Sequence, residues 1–344
     1  MIQSRYRIIK QFNPSWFSAV MGTGILAIGS HYYRSYVPFL GKLSYVFYYI
    51  ALSLLLFLIV PWILRWMFFF EDAYNDLEHP ILSSFYPTLP VGILVLSIGA
   101  VIIIKNYILG EILWLIGAPL TVFFVIITFF IVFKGRQMTL DHISPAWFIP
   151  LTGLLSIAIP GSLLMEYIPS YMENYVLFMN YFGWGSGFFL YLALFAICMY
   201  RFMLRPPLPG ILSPTIWINL GPVGTGITGI VTLVTYSEFI TVKEPFYIFS
   251  LLFWSFGIWW VIMALGMTIY YFRKIKVPYG VSWWGYTFPL GAYVTASYTV
   301  GDIMELGFVK DTGFILYWLL LFFWITTTIN TILNIYRGTL FENT

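Results

Sequence analysis

Ten long apolar stretches follow one another along the chain, and its charged residues lie at their ends or between them. A transmembrane helix needs about 20 apolar residues. Only 9% of the residues are charged, whereas a soluble chain has about a quarter. The sequence therefore predicts an all-α integral membrane protein with ten transmembrane helices. The expected spans are approximately 13–33, 43–65, 80–104, 112–133, 144–165, 174–200, 211–236, 246–272, 280–301 and 312–336.

The basic residues predict how these spans are oriented. If the N-terminus is cytoplasmic, twelve of the seventeen lysines and arginines lie in cytoplasmic segments. Cytoplasmic loops carry an excess of positive charge, so we expect both termini in the cytoplasm. No connection is long enough for a soluble domain, and residues 1–344 are expected to form a single domain in the cell membrane. The acidic residues between the second and third spans are expected in a solvated loop; they are Glu71, Asp72, Asp76 and Glu78.

Prolines are concentrated in the odd-numbered spans. Even-numbered spans contain two of the nineteen, Pro61 and Pro119. Odd-numbered spans contain nine: Pro14, Pro87, Pro90, Pro145, Pro150, Pro160, Pro214, Pro222 and Pro289. Proline inside a helix removes a hydrogen bond and kinks the axis, and in lipid the freed carbonyl is tolerated only beside protein or a water-filled cavity. We therefore expect five helical hairpins, each with a kinked inner helix beside a central pore and a straighter outer helix facing lipid.

The direction of the odd spans favours negatively charged solutes. All five run the same way through the membrane, and each helix N-terminus carries about half a positive charge. Breaks within these spans would bring such ends towards the interior and favour anions without any lysine or arginine. A simpler interpretation of each single proline is close packing, since proline and glycine are frequent in transmembrane helices.

Residues 281–298, VSWWGYTFPLGAYVTASY, carry a specific resemblance. They resemble the ninth helix of the tellurite-resistance/dicarboxylate transporter family, which includes plant slow anion channels, fungal malate permeases and fungal sulfite efflux pumps. Residues 13–26 and 79–94 resemble its first and third helices. The residues that match its W-W-x-[YF]-[ST]-F-P pattern are Trp283, Trp284, Tyr286, Phe288 and Pro289.

This resemblance implies pseudo-fivefold symmetry and a homotrimer with one pore in each subunit. It also implies that Phe288 closes the pore near mid-membrane. The function it implies is transport of anions, either as a C4-dicarboxylate transporter of the malate type or as a conduit like the slow anion channels. Export of a sulfite- or tellurite-type oxyanion is the alternative. Whether the protein is a channel or a proton-coupled carrier stays open.

Other residues of the spans are weaker site candidates. The pore-lining candidates beside breaks are Phe17, Phe85 and Phe148, with Pro14, Pro87, Pro90, Pro145, Pro150, Pro214, Pro222 and Pro289. Hydroxyls that could donate to an anion belong to Thr23, Thr88, Thr152, Thr225 and Thr287, although such hydroxyls often bond to their own helix. His79 and His142, at the expected cytoplasmic edges of spans three and five, are candidates for proton sensitivity because histidine titrates near neutral pH.

A membrane-embedded enzyme is the disfavoured alternative from another class. It would need paired carboxylates, a metal-binding set or an activated nucleophile, and the spans contain none of these. We expect no catalytic residue, cofactor or metal. The single cysteine, Cys198, allows no intrachain disulfide. A net charge of +3 gives no indication of nucleic-acid binding. The expected partners are small inorganic or organic anions and membrane lipid.

Overall fold

The computed structural model describes residues 8–79, 81–134 and 139–338, and every regular element within these ranges is helical. Ten α-helices within these ranges form the body of the protein. They are α1 (Ser18–Tyr32), α2 (Phe39–Phe68), α3 (Thr88–Gly99), α4 (Tyr107–Phe133), α5 (Phe148–Leu164), α6 (Ser170–Leu204), α7 (Leu220–Thr235), α8 (Glu244–Lys274), α9 (Phe288–Ile303) and α10 (Gly307–Tyr336). A short linker helix (Phe70–Glu78) lies between α2 and α3.

Each odd-numbered helix follows a short 3₁₀ segment. These segments are Pro14–Phe17, Leu82–Phe85, Pro145–Trp147, Gly210–Asn219 and Val281–Tyr286. Helix α3 also continues beyond Gly99 as a π-helix, Ala100–Ile104. The odd helices are therefore composite, with a tighter turn leading into each α-helical part.

The prolines of the odd spans mark where the α-helices begin. Pro90, Pro150 and Pro222 are each the third residue of their helix, and Pro289 is the second. Proline is tolerated in the first turn because the N–H that it lacks has no partner within the helix there. At these four positions we expected a kink, and the structure has a helix start instead.

Among the described residues, eight helical segments are long and apolar enough to cross a membrane. Helices α1 and α9, with 15 and 16 residues, are not among these eight. The chain is an all-helical integral membrane protein.

Burial alternates along the chain. In the most apolar windows of α3, α5 and α7 with their flanking turns, 89%, 89% and 94% of the residues are buried. The corresponding fractions for α2, α4, α6, α8 and α10 are 28%, 33%, 22%, 33% and 28%. The exposed faces of these even helices carry large apolar side chains such as Phe57, Phe133 and Phe189. Exposed apolar surface on this scale belongs against lipid.

The helices pack in a repeating order. The odd helices contact one another in a closed cycle, α1 with α3, α3 with α5, α5 with α7, α7 with α9, and α9 with α1. Each even helix packs on the odd helix that precedes it and also touches the odd helix that follows, with α10 touching α1. The odd helices therefore form an inner layer and the even helices an outer one.

Helices α7 and α9 approach closely at Gly224. A Cβ atom at this position would lie 2.4 Å from the carbonyl carbon of Ala292 and 2.5 Å from the backbone nitrogen of Tyr293. Only glycine permits such an approach between two backbones. Ala292 is one helical turn beyond Phe288, so this contact fixes the start of α9 against α7.

The linker helix corrects our expectation of a solvated acidic loop. Asp76 forms an ion pair with Arg65 at 2.6 Å, and the side chains are 21% and 6% exposed, respectively. Arg65 also donates to the backbone carbonyl of Phe12. Because one buried guanidinium contacts both segments, the linker helix and the N-terminal segment are held against the end of α2.

Candidate functional site

A small cavity lies at the N-terminal ends of the odd helices. This N-terminal cavity has a volume of about 30 Å³, enough for one or two water molecules. All five odd helices or their leading turns contribute to its lining, and the even helices do not. The lining residues are Ser18, Met21, Phe85, Thr88, Ile149, Thr152, Thr215, Ile218, Val281, Ser282, Trp284, Gly285, Phe288 and Pro289.

A second cavity lies further along the same helices. This central cavity has a volume of about 20 Å³, and again all five odd helices surround it. Its lining residues are Ile25, Ile28, Tyr32, Val95, Ile98, Ser156, Ile159, Gly224, Thr225, Thr228, Phe288, Ala292 and Thr295. The two cavities therefore follow one axis through the inner layer.

Phe288 separates these two cavities. Within the described part of the chain it is the one residue common to both linings, and it is 4% exposed. It is the first residue of α9, directly before Pro289. The hydroxyl of the preceding Thr287 donates to the carbonyl of Trp284 at 2.8 Å, which ties the last residue before α9 to the 3₁₀ segment. The local sequence thus places an aromatic residue between the two cavities.

A wider vestibule lies at the C-terminal ends of the odd helices. It has a volume of about 230 Å³ and shares Tyr32 with the central cavity. The ring of Tyr32 stacks on Tyr298, with centroids 4.9 Å apart and planes 8° from parallel. Asp302 also lines the vestibule, and its carboxylate lies 3.1 Å from Lys310 Nζ. Tyr32, stacked on Tyr298, therefore lies between the central cavity and the vestibule.

The axial cavities have a defined electrostatic direction. Initial residues of α1, α3 and α9 line the N-terminal cavity, and final residues of α1, α7 and α9 line the vestibule, so these helices run parallel. Each helix N-terminus carries about half a positive charge. No lysine, arginine, aspartate or glutamate is among the described residues that line the N-terminal and central cavities. Backbone groups therefore dominate the field there.

Two polar side chains on the cavity walls have unused hydrogen-bonding capacity. Trp284 Nε1, at the N-terminal cavity, and Thr228 Oγ1, at the central cavity, are buried and have no hydrogen-bond partner among the described residues. An indole N–H can only donate, so Trp284 suits an anion. Sequence reasoning missed both as contacts, although the WW motif includes Trp284. Whether these two groups have a hydrogen-bond partner depends on which residues surround them in the fold, and the sequence does not show those neighbours.

Three of the five predicted threonines line the cavities. Thr88 and Thr152 lie on the N-terminal cavity and Thr225 on the central cavity. Their hydroxyls donate to backbone carbonyls, those of Thr152 and Thr225 to Phe148 and Gly221 one turn earlier, at 2.8 and 2.9 Å. The other two lie off the axis. Thr23 Oγ1 accepts a hydrogen bond from Trp324 Nε1 at 3.0 Å, and Thr287 bonds to its own turn as described above.

The predicted phenylalanines and prolines divide in a similar way. Phe85 and Pro289 line the N-terminal cavity. Phe17 instead packs against Trp62 of α2, and Phe148 against Tyr191 of α6. The other predicted prolines are absent from both axial linings within the described ranges; they are Pro14, Pro87, Pro90, Pro145, Pro150, Pro214 and Pro222. They shape the helix starts and do not line the cavities.

The two predicted histidines lie in connections at the surface. His79 Nδ1 accepts hydrogen bonds from the backbone N–H groups of Ile81 and Leu82 at 3.2 and 3.3 Å. His142 Nδ1 accepts from the backbone N–H of Thr139 at 3.2 Å. Each ring thus holds a turn before an odd helix, and neither lines an axial cavity within the described residues.

Comparison with known proteins gives consistent matches. Residues 11–332 match the voltage-dependent anion channel family. An uncharacterised transporter of Methanocaldococcus jannaschii is 48% identical over 99% of this chain and 98% of its own length. The sulfite efflux pump of Arthroderma otae is 24% identical over 85% of this chain and 82% of its own. The malic acid transport protein of Schizosaccharomyces pombe is 23% identical over 86% of this chain and 72% of its own.

Proposed function

Because the chain belongs to the voltage-dependent anion channel family, we propose that it carries small anions along the axis of its five odd helices, with Phe288 as the gate. The observation that supports this most directly is the position of Phe288, which lies between two cavities on one axis. In this state the route is closed, since each cavity has a volume of about 20 to 30 Å³ and holds only water-sized groups.

The selectivity for anions is proposed to come from peptide dipoles and neutral donors. Helix N-termini meet at the N-terminal cavity, and backbone N–H groups there favour negative charge. Trp284 adds an unpaired N–H donor at the same cavity, and Thr228 adds a hydroxyl at the next. An anion leaving the N-terminal cavity would thus pass Phe288 and find a second donor.

For substrates, we propose C4-dicarboxylates of the malate type, with sulfite- or tellurite-type oxyanions as the alternative. Both have support from the names of relatives, one a malic acid transport protein and one a sulfite efflux pump. Their identities to this chain, 23% and 24%, do not separate the two. The axial cavities hold only water-sized groups, so passage of either class requires the ring of Phe288 to move.

The proposed arrangement has ten spans as five hairpins with pseudo-fivefold symmetry and cytoplasmic termini. The closed cycle of odd helices supports it, as do the 3₁₀ segments that lengthen the short helices α1 and α9. We further propose a homotrimer with one pore per subunit, which the family resemblance implies. Measuring the mass of the detergent-solubilised complex by light scattering would test this.

Replacing Phe288 tests the gate. In proteoliposomes, Phe288→Ala is expected to raise anion flux by about tenfold or more, which corresponds to a barrier lower by about 1.4 kcal/mol. The assay should compare malate, sulfite, chloride and nitrate at an acidic and an alkaline pH, because this tests both solute and proton coupling. Phe85→Ala is the matched control, since it widens the N-terminal cavity but leaves Phe288 in place between the two cavities. Its flux should stay near that of the wild type.

Two outcomes would contradict the proposal separately. Unchanged flux in a correctly folded Phe288→Ala protein would exclude this residue as the gate. Absence of flux for every anion, in both proteins, would remove the transport function itself.

Trp284→Phe in the Phe288→Ala background tests the proposed indole N–H donor. Losing a hydrogen bond to a charged group should weaken apparent anion affinity by about tenfold.

A further inference from the structure

A larger cavity lies away from the axis, between outer helices α6 and α8. Its volume is about 240 Å³, and it shares no lining residue with the axial cavities among the described residues. The apolar wall comes from both helices and includes Met199, Trp259, Trp260, Met263 and Met267. The connection from α6 towards α7 closes one end. This space, which we call the α6–α8 pocket, has no role in the proposed anion route.

The pocket contains a buried guanidinium that has no anionic partner among the described residues. Arg201 lines the pocket and is 4% exposed. Its Nε and Nη1 atoms are buried, and no described residue accepts a hydrogen bond from either. The guanidinium carbon lies 6.0 Å from the centre of the Phe202 ring, but an aromatic face does not replace a counter-charge. A buried charge without an anionic partner is costly, so the position of Arg201 indicates a site for an external anionic group. Arg205, on the same wall, adds a second positive charge and lies 3.6 Å from the exposed carboxylate of Asp141.

A second buried arginine near a helix end, Arg65, does have a carboxylate partner. Arg65 lies near the end of α2 as Arg201 lies near the end of α6, and both are buried, at 5% and 4% exposure. Arg65 meets the Asp76 carboxylate at 2.6 Å and also the Phe12 carbonyl. The linker helix supplies that carboxylate, whereas the described residues 205–219, between α6 and α7, include no aspartate or glutamate. The comparison indicates that Arg201 is suited to an oxygen anion that the described residues do not supply.

We propose that the α6–α8 pocket binds the anionic head group of a membrane lipid, with Arg201 as the buried counter-charge and Arg205 at the entrance. Two observations favour a lipid over a free anion. The pocket wall is mainly aromatic and thioether, and Trp259 and Met263 are 45% and 43% exposed on the outer face, where an acyl chain would lie. Basic pockets between transmembrane helices on the cytoplasmic side are suited to anionic head groups, and the arginine pattern of the sequence predicts this side to be cytoplasmic.

Native mass spectrometry of the solubilised full-length protein would test this. Phosphatidylglycerol, phosphatidylcholine with the same acyl chains, and inorganic phosphate are the three probes. We expect phosphatidylglycerol to bind about tenfold more tightly than phosphatidylcholine, and Arg201→Gln to remove that preference. Arg273→Gln is the matched control because Arg273 lies near the end of α8 but is exposed and outside the pocket lining. It should keep the preference.

A second variant tests the pocket without changing its charge. Met263→Trp fills the space at a partly exposed position and should also remove the phosphatidylglycerol preference. If either variant retains the full preference, the proposal is wrong. If inorganic phosphate competes at the same concentration as the lipid, the site binds a free anion, and the assignment to a lipid is overturned.

Discussion

Replacing Gly224 by alanine tests how closely α7 and α9 must pack beside the proposed gate. The added Cβ would lie 2.4 Å from the Ala292 carbonyl carbon and 2.5 Å from its oxygen. Ordinary contacts begin at 3.4 Å, so the two helices would have to separate by roughly 1 Å. Both neighbouring atoms belong to the backbone, and no side-chain rotation can relieve the overlap.

This separation has an expected cost. Overpacking a well-packed interior costs about 1–3 kcal/mol, and a clash with backbone belongs at the upper end. Replacing glycine by alanine within a helix returns about 1 kcal/mol. We therefore expect Gly224→Ala to lower the free energy of unfolding by about 2 kcal/mol. Because Ala292 lies one turn after Phe288, the shift should also move the gate and increase leakage of anions.

Chemical denaturation in detergent and proteoliposome flux measure the two effects. Gly266→Ala on α8 is the matched control, since a Cβ there would meet no atom within 4 Å. That variant should be neutral or more stable by up to about 1 kcal/mol. A Gly224→Ala protein with wild-type stability and wild-type flux would refute the inferred contact between α7 and α9.

Other predictions follow from the ion pairs and from the vestibule. Asp76→Asn should destabilise the protein by about 3–5 kcal/mol, because it leaves the buried Arg65 without its carboxylate partner. Asp72→Asn breaks an exposed ion pair with Lys10, 3.5 Å away, and should cost less than about 1 kcal/mol. Denaturation measures both, and equal effects would argue against a buried pair. Tyr32→Ala should connect the central cavity to the vestibule. A cysteine replacing Thr295, in a background without the native cysteine, should then react faster with an impermeant thiol reagent added on the vestibule side; an unchanged rate would exclude Tyr32 as a constriction.

The division into inner and outer helices could be predicted from the sequence because prolines are unevenly distributed. In the most apolar windows of the proline-containing helices α3, α5 and α7, 89% to 94% of the residues are buried. In the even helices the fraction is 22% to 33%. Phe288 could be identified through its motif, and it lies at the junction of two cavities. Its role as a gate stays a prediction.

Other features could not be predicted, because they depend on neighbours distant in sequence. A proline pattern does not distinguish a kink from a helix start, and Pro90 and Pro150 lie at helix starts. The pairing of Asp76 with Arg65 depends on the linker helix folding back towards α2. Likewise, Phe17 faces Trp62 and not the axis, because rotation about a helix axis decides which face meets the cavity.

The neutral walls of the axial cavities have a consequence for throughput. A solute held only by partial charges and a few neutral donors occupies a shallow energy well, so its residence time is short. Conduction requires an ion to be attracted enough to enter and held weakly enough to leave. Such a passage should therefore trade tight recognition for rapid turnover, with a rate that keeps rising with solute concentration where a deep binding site would already be saturated.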